Sequence, residues 1–149
     1  MKKFAIIIAV FSCTLCFAQV RNPVKWNFNS KRINATTCEI HLTASLENGW
    51  HMYSQTTPEG GPIPTSIEFI KNPLVSIDGP AKELGKLEQR YEPLFGVDVK
   101  QFSNKVDFVQ IVKMKGKAKT AINGTVEFMT CNDHECLPPS SQKFSIALN

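Results

Sequence analysis

The chain has 149 residues, of which 42% are hydrophobic and 20% are charged. A chain of this length fits one domain, large enough to bury about two thirds of the surface that the unfolded chain exposes. Lys and Arg outnumber Asp and Glu by 17 to 13. This small excess, part of it within the first three residues, excludes the strongly basic signature of a nucleic-acid-binding protein.

The first 18 residues have the pattern of a secretory signal peptide. Two lysines precede an apolar stretch over residues 4–17, which is too short to span a bilayer, and the small residue Ala18 follows. We place cleavage between Ala18 and Gln19. Residues 19–149 then form a single soluble domain in the periplasm or outside the cell, because no later stretch approaches the roughly 18 apolar residues of a membrane helix.

A lipoprotein signal is the alternative for this segment, with Cys13 of "VFSC" as the acylated residue. The bulky Phe11 and the short apolar run before it argue against that alternative. Cys13 and Cys16 are therefore removed with the signal peptide. Disulfides persist in exported proteins, and the odd number of remaining cysteines leaves one without a partner. These three are Cys38, Cys131 and Cys136.

Alternation of apolar and polar residues with period two dominates the rest of the chain. The clearest strand is "TCEIHLTASL" (37–46), which places Cys38 on its apolar face. Turn-forming stretches such as "LENG", "PEGGPIP" and "DGP" separate the strands. Many short strands between turns predict an all-β fold, an antiparallel β-sandwich. The further strand candidates are "VKWNFN", "WHMYS", "SIEFI", "LVSI", "VDVKQF", "VDFVQIVKM", "TVEFMT" and "KFSIAL".

Three local patterns give more specific expectations. Asn123 and Gly124 predict a tight hairpin, because both central residues of a type I′ turn need positive φ. The stretch "AKELGKLEQ" (81–89) is the one candidate for a helical turn, although Gly85 weakens it. Lysines at every second position predict one solvated strand face that protects an edge. These lysines are Lys113, Lys115, Lys117 and Lys119.

Cys131 and Cys136 bracket four polar residues in "TCNDHECLPP". If those residues form a hairpin loop, the cysteines face each other with Cα atoms about 4.5 to 5.5 Å apart, a distance that a disulfide accepts. Closing so short a loop stabilises the fold by about 2 kcal/mol. This small contribution favours a bond that opens and closes over a permanent staple.

The residues around the pair affect its reactivity. Asp133 and Glu135 disfavour a thiolate, while a protonated His134 would favour it. We infer a dithiol that a docked partner activates. Pro138 and its neighbour Pro139 stiffen the exit from the loop.

Two alternatives for the cysteines stay open from the residues alone. Zinc could take Cys131, His134 and Cys136 as three ligands, although the spacing is not that of common structural zinc sites. Cys38 is by default a buried free thiol. It could instead bridge to Cys131 or Cys136 and join two sheets, as in antibody domains.

Three stretches, "NGWHMYSQ", "YEPLFGVDV" and "FMTCNDHECLPP", resemble the N-terminal periplasmic domain of the thiol:disulfide interchange protein DsbD. The resemblance covers most of the chain after the signal peptide. It implies an immunoglobulin-like sandwich whose redox pair exchanges electrons with thioredoxin-fold oxidoreductases. It also implies that Cys136 forms the mixed disulfide and that Cys131 resolves it.

The resemblance assigns roles to four further residues. Leu94 and Phe95 match an aromatic cap loop that shields the cysteines, and His51 and Tyr53 match ring-bearing positions on the strand beside them. His134, Glu135 and Pro138 are expected to support the pair. We expect a monomer with thiol-disulfide exchange activity as a protein-disulfide reductase, no cofactor or metal, and electrons from a separate membrane protein.

The alternative function belongs to another class of protein. A secreted immunoglobulin-like binding or assembly module would use the same disulfide only to shape a loop tip. Such a module would keep its partner when both cysteines are replaced, whereas a redox module would lose electron transfer.

Overall fold

A computed structural model describes residues 21–116 and 118–148. All regular elements in this part of the chain are strands, and none of it forms a helix that could cross a membrane. The predicted signal peptide, residues 1–18, lies outside the described residues. The strands are β1 (Val24–Arg32), β2 (Thr37–Leu46), β3 (His51–Tyr53), β4 (Ser66–Phe69), β5 (Val75–Glu92), β6 (Val97–Met114), β7 (Thr120–Phe128), β8 (Thr130–Cys131) and β9 (Ser140–Leu148).

The strands form two antiparallel sheets, which confirms the predicted immunoglobulin-like β-sandwich. The larger sheet has the order β1-β2-β6-β3-β8, with β5 along the other edge of β6, and the smaller has the order β4-β7-β9. Strand β6 organises the larger sheet. Its residues 105–113 pair with β2, its residues 101–103 pair with β3, and β5 follows it along almost its whole length.

The main core lies between the two sheets, where the alternating apolar residues of both sheets meet. Residues predicted on the apolar face of 37–46 are buried, as period-two alternation requires. Aromatic rings fill the centre: Trp26 packs edge-on against Phe128 at 5.3 Å, and Phe28 packs against Phe144 at 5.4 Å. The hydroxyl of Ser30 donates to the carbonyl of Ala147 (2.7 Å) and ties β1 to β9.

The predicted hairpin at Asn123 and Gly124 is wrong, because both residues lie inside β7. Gly124 faces Phe69 of β4 and Phe144 of β9 in register. A Cβ atom on Gly124 would collide with the carbonyl oxygen of Glu68 and with the ring of Phe144. The glycine therefore permits close approach of neighbouring groups, and tertiary packing overrides the local turn signal.

Two other local expectations also fail. Residues 81–89 belong to β5 and not to a helical turn. Their pairing with β6 overrides the weak helical pattern, and the carbonyl of Lys105 would lie 3.0 Å from a Cβ on Gly85. The lysines do not share one strand face, because β6 ends at Met114. Lys115 and Lys119 lie beyond the strand, and Lys117 is outside the described residues.

At one end of the larger sheet, both faces are buried. Met52 of β3 faces the main core, while its neighbour Tyr53 packs in a second, smaller cluster on the opposite face. Successive strand residues point to opposite faces, so this end of the sheet needs cover on both sides. The satellite cluster contains Tyr53, Val99 and Cys131, with Phe95, Val97, Met129 and Cys136 packed against them.

Candidate functional site

Cys131 and Cys136 form a disulfide at the edge of the larger sheet. Cys131 ends β8 and is fully buried, whereas Cys136 is only partly buried. The two residues pair as an isolated antiparallel bridge, with Cα atoms 4.1 Å apart, slightly closer than predicted. The sandwich thus brings the two sulfurs together across a hairpin loop, and solvent reaches one side of the pair.

The cysteine loop (residues 132–135) is held by its first residue. The side-chain oxygen of Asn132 accepts hydrogen bonds from the backbone N–H groups of His134 (2.8 Å) and Glu135 (2.9 Å). The Asn132 N–H also donates to the Glu135 carbonyl (2.9 Å). This Asx-type turn leaves His134, Glu135 and the following Pro138 exposed to solvent.

The cap loop (residues 93–96) connects β5 to β6 above the cysteine pair. The backbone N–H groups of Phe95 and Gly96 both donate to the carbonyl of Glu92, and Gly96 adopts a positive φ of 71° that favours glycine. Phe95 packs against the cluster that contains both cysteines. Leu94 is 55% exposed and does not pack against this cluster, so the structure brings only Phe95 of the two predicted shield residues to the cluster.

A buried polar cluster of His51, Tyr53 and Glu92 lies beside Cys131, which is in register with His51. The phenol of Tyr53 donates to the Glu92 carboxylate at 3.3 Å. The Nε2 atom of His51 is 3.2 Å from the Tyr53 hydroxyl and 3.4 Å from the Glu92 carboxylate. The single phenolic proton of Tyr53 is donated to Glu92, so the Tyr53 oxygen can only accept a hydrogen bond from His51. The favourable tautomer of His51 therefore carries its proton on Nε2.

Burial sets the protonation of this cluster. It lowers the pKa of His51, an effect that the negative charge of Glu92 opposes and the positive charge of Arg90 reinforces. Burial, followed by the charge of Glu92, raises the pKa of Tyr53 well above its usual range. His51 and Tyr53 are therefore both neutral at pH 7, and Tyr53 remains a hydrogen-bond donor.

Arg90 links β5 to the cysteine loop. Its guanidinium lies 3.4 Å from the carboxylate of Asp133. Arg90, Glu92 and the cap loop follow one another in the chain, so a single hairpin supplies Phe95, the buried acid and this ion pair. The ion pair is exposed to solvent and contributes little to stability.

Sequence reasoning missed three residues of this site: Arg90, Glu92 and Asn132. The role of Asn132 could have been predicted, because Asn directly after a strand end commonly forms an Asx turn. Glu92 directly precedes the predicted cap loop, but no local sequence pattern indicates that its side chain is buried. The contact between Arg90 and Asp133 joins positions 43 apart in the chain, and no local pattern predicts it.

Cys38 is a buried free thiol whose sulfur lies 3.8 Å from the sulfur of Met114. It lies at the end of β2 that pairs with Val112, far along β6 from the disulfide. The alternative bridge from Cys38 to the pair is therefore excluded. Among residues 21–116 and 118–148, no group of three or more His, Cys, Asp or Glu side chains is arranged to hold a metal ion.

Residues 20–148 match the family described as thiol:disulfide interchange protein DsbD, N-terminal. The chain belongs to this family. The match covers both the cysteine loop and the cap hairpin, and it confirms the resemblance inferred from three short stretches. A comparison with curated proteins found no match.

Solved structures share the fold of this DsbD N-terminal family member. The N-terminal periplasmic domain of ScsB from Proteus mirabilis matches with a TM-score of 0.51 and 16% identity, over 84% of this chain. This chain spans 44% of the ScsB chain's length. A complex between the DsbD N-terminal and PilB N-terminal domains from Neisseria meningitidis matches with a TM-score of 0.51 and 11% identity, over 80% of each chain.

Proposed function

We propose that the chain is a thiol:disulfide interchange module of the periplasm, with Cys131 and Cys136 as its redox pair and protein-disulfide reductase activity. The observation that carries the proposal is the unequal burial of the two bonded cysteines. Cys131 is fully buried, whereas Cys136 is partly open to solvent; Cys136 and Phe95 both pack against the cluster that contains Cys131. Family membership supports the same chemistry.

The exchange step follows from this asymmetry. In the reduced pair, the Cys136 thiolate attacks one sulfur of a partner's disulfide, and the partner's other sulfur leaves as a thiolate. Cys131 then attacks Cys136 in the mixed disulfide and releases the partner. Two electrons and two protons pass to the partner, and the bond between Cys131 and Cys136 forms again.

The cap loop would control access to this step. Phe95 packs against the cluster that contains Cys131, so a partner approaching Cys136 would have to move this ring aside. The negative charge of Glu92, which acts on His51 beside Cys131, would also disfavour a thiolate at the pair before docking. Both features suit exchange with specific partners and oppose reaction with small oxidants.

The proposed partners are thioredoxin-fold oxidoreductases, and a separate membrane protein is the proposed electron donor. The complex of a DsbD N-terminal domain with the PilB N-terminal domain supports a protein partner for this fold. We further propose that residues 1–18 direct export, and that residues 19–149 act as one monomeric domain. His134, Glu135 and Pro138 would then contribute to the exposed rim that a partner meets.

A trapping experiment tests the proposed roles. Cys131→Ser should leave Cys136 bonded to a thioredoxin-fold partner, because the resolving thiol is absent, whereas Cys136→Ser should trap much less. Cys38→Ala serves as the control and should trap nothing, because the complete pair can still resolve. Equal trapping by Cys131→Ser and Cys136→Ser would contradict the assigned order of attack.

Equilibration with glutathione buffers gives a second measurement. A redox-active pair should titrate within the range of oxidoreductases, above about −300 mV. A lower midpoint would identify a structural bond and would favour the secreted binding module instead. Replacing both cysteines by serine should then leave partner binding intact.

A further inference from the structure

The end of the sandwich opposite the disulfide exposes aliphatic side chains on two adjacent connections. Ile33 lies in the turn between β1 and β2, and Ile70 and Leu74 lie in the connection between β4 and β5. Ile77 follows at the start of β5. All four are exposed large apolar side chains, with Ile33 48%, Ile70 65%, Leu74 40% and Ile77 42% exposed.

Backbone contacts bring these connections together at the end of β6. The N–H of Met114 donates to the carbonyl of Thr36 (2.7 Å), in the turn that carries Ile33. The next residue, Lys115, donates its N–H to the carbonyl of Leu74 (2.8 Å). The exposed aliphatic residues are therefore grouped at one end of the sandwich, which distinguishes them from singly scattered exposed side chains.

A cleft of about 440 Å³ opens between the edges of the two sheets at this end. Its wall is mainly apolar and includes one cation, the exposed Lys71. The lining side chains include Phe69, Ile70, Val75, Ile77 and Ile122.

Three lysines lie on the same connections as the aliphatic residues or next to them. Lys71, Lys115 and Lys119 are exposed and form no ion pair within residues 21–116 and 118–148. Nearby, Lys113 pairs with Asp78 at 2.9 Å. We call the set Ile33, Ile70, Leu74, Ile77, Lys71, Lys115 and Lys119 the distal surface.

We propose that the distal surface docks on an anionic phospholipid bilayer, inserting its aliphatic side chains while its lysines contact lipid phosphates. Lysine is depleted from protein interfaces, whose centres are enriched in aromatic residues and arginine. The distal surface, by contrast, consists of lysines and aliphatic residues and includes no aromatic residue or arginine. Aliphatic side chains among lysines match the chemistry of a bilayer surface, where apolar insertion and attraction to anionic lipid act together.

Docking in this way would leave the redox pair accessible. Strand β6 spans the distance from the distal surface at Met114 to the cysteine end at Gln101, about 40 Å for an extended strand. The disulfide would then face away from the bilayer, where an exported partner can reach it. This inference does not depend on the redox proposal, since the two surfaces share no residue.

Cosedimentation of the chain without its signal peptide with phospholipid vesicles tests the proposal. The protein should bind vesicles of phosphatidylcholine with phosphatidylglycerol, and bind vesicles of phosphatidylcholine alone much more weakly. Lys71→Gln and Lys115→Gln should each weaken binding by about fivefold at low salt, from the attraction of one lysine to an anionic surface. Ile70→Ser should also weaken binding.

A matched pair of substitutions elsewhere supplies the control. Leu84→Ser and Lys82→Gln change an exposed leucine and an exposed lysine on β5, outside the distal surface, and should leave vesicle binding and folding unchanged. The proposal is overturned if the wild-type protein does not bind the anionic vesicles, binds both vesicles equally, or loses binding equally in the control. Self-association that Ile70→Ser abolishes, without vesicle binding, would assign the surface to a second copy and also overturn it.

Discussion

The phenol of Tyr53 donates a hydrogen bond to the carboxylate of Glu92 at 3.3 Å, although the two residues lie 39 positions apart in the chain. The side chain of Glu92 is 4% exposed. A buried carboxylate requires such partners, because its desolvation is costly when no donor reaches it. This contact joins β3, the strand paired with β8, to the hairpin that carries the cap loop.

Tyr53→Phe should therefore destabilise the fold. Removing the hydroxyl deprives a buried carboxylate of a donor, and we expect the free energy of unfolding to fall by about 2 kcal/mol. Urea denaturation measures the change. Tyr91→Phe is the matched control, because the ring of Tyr91 is exposed, and it should have almost no effect. Equal effects of the two substitutions would show that the contact with Glu92 adds nothing.

His51 should make stability depend on pH. Its pKa in the folded state is lowered, mainly by burial, so the unfolded chain binds the proton more tightly. The stability that neutral His51 contributes is fully present above the ordinary histidine pKa of about 6.5 and is lost as the pH falls below that value. The measurement is the free energy of unfolding from denaturation at pH 7.5 and at about pH 5.5. We expect His51→Gln to lose part of the difference between the two pH values, and the exposed control His134→Gln to retain it.

Opening the disulfide should cost little stability. The loop between Cys131 and Cys136 is short, so reduction should lower the free energy of unfolding by about 2 kcal/mol and leave the protein folded. Denaturation with and without dithiothreitol measures this difference. The same difference should persist in Cys38→Ala and vanish in the double serine variant. Global unfolding on reduction would contradict a pair that cycles.

Phe95 should protect the disulfide more than Leu94 does. Phe95 packs against the cysteine cluster, whereas Leu94 is exposed. Phe95→Ala should raise the rate of reduction by dithiothreitol several-fold, and Leu94→Ala should change it little. Stopped-flow or alkylation quenching gives the rates. The cap would have no shielding role if the two variants were reduced at the same rate.

Gly124→Ala should destabilise the smaller sheet. A methyl group would meet the backbone carbonyl of Glu68, which cannot move as a flexible side chain can. We expect a loss of about 1–3 kcal/mol from overpacking, measured by thermal or urea denaturation. Asn123→Ala, at the exposed neighbouring position on the same strand, should be nearly neutral.

The sequence predicted the features that depend on local order. Period-two alternation identified the strand at 37–46 with its observed bounds. The spacing of Cys131 and Cys136 indicated their pairing, because a short loop between strands can place them opposite each other. Those patterns depend only on neighbours in the chain.

Contacts between distant segments could not be predicted in this way. Asn123 and Gly124 form a strong local turn signal, yet the approach of Glu68 and Phe144 makes that glycine part of a strand. Similarly, "VDVKQF" and "VDFVQIVKM" were predicted as separate strands. They form the single strand β6, which passes through Asn104 at a φ of 65° beside a register shift with β5.

The satellite cluster around Tyr53, Val99 and Cys131 is separate from the main core. Substitutions in the cap loop and the cysteine loop should therefore leave the packing between the two sheets intact. A library randomised only in the cap and cysteine loops should yield mostly foldable variants with diverse exchange preferences. Under the proposed function, such variants would transfer electrons to different partner proteins while keeping the same fold.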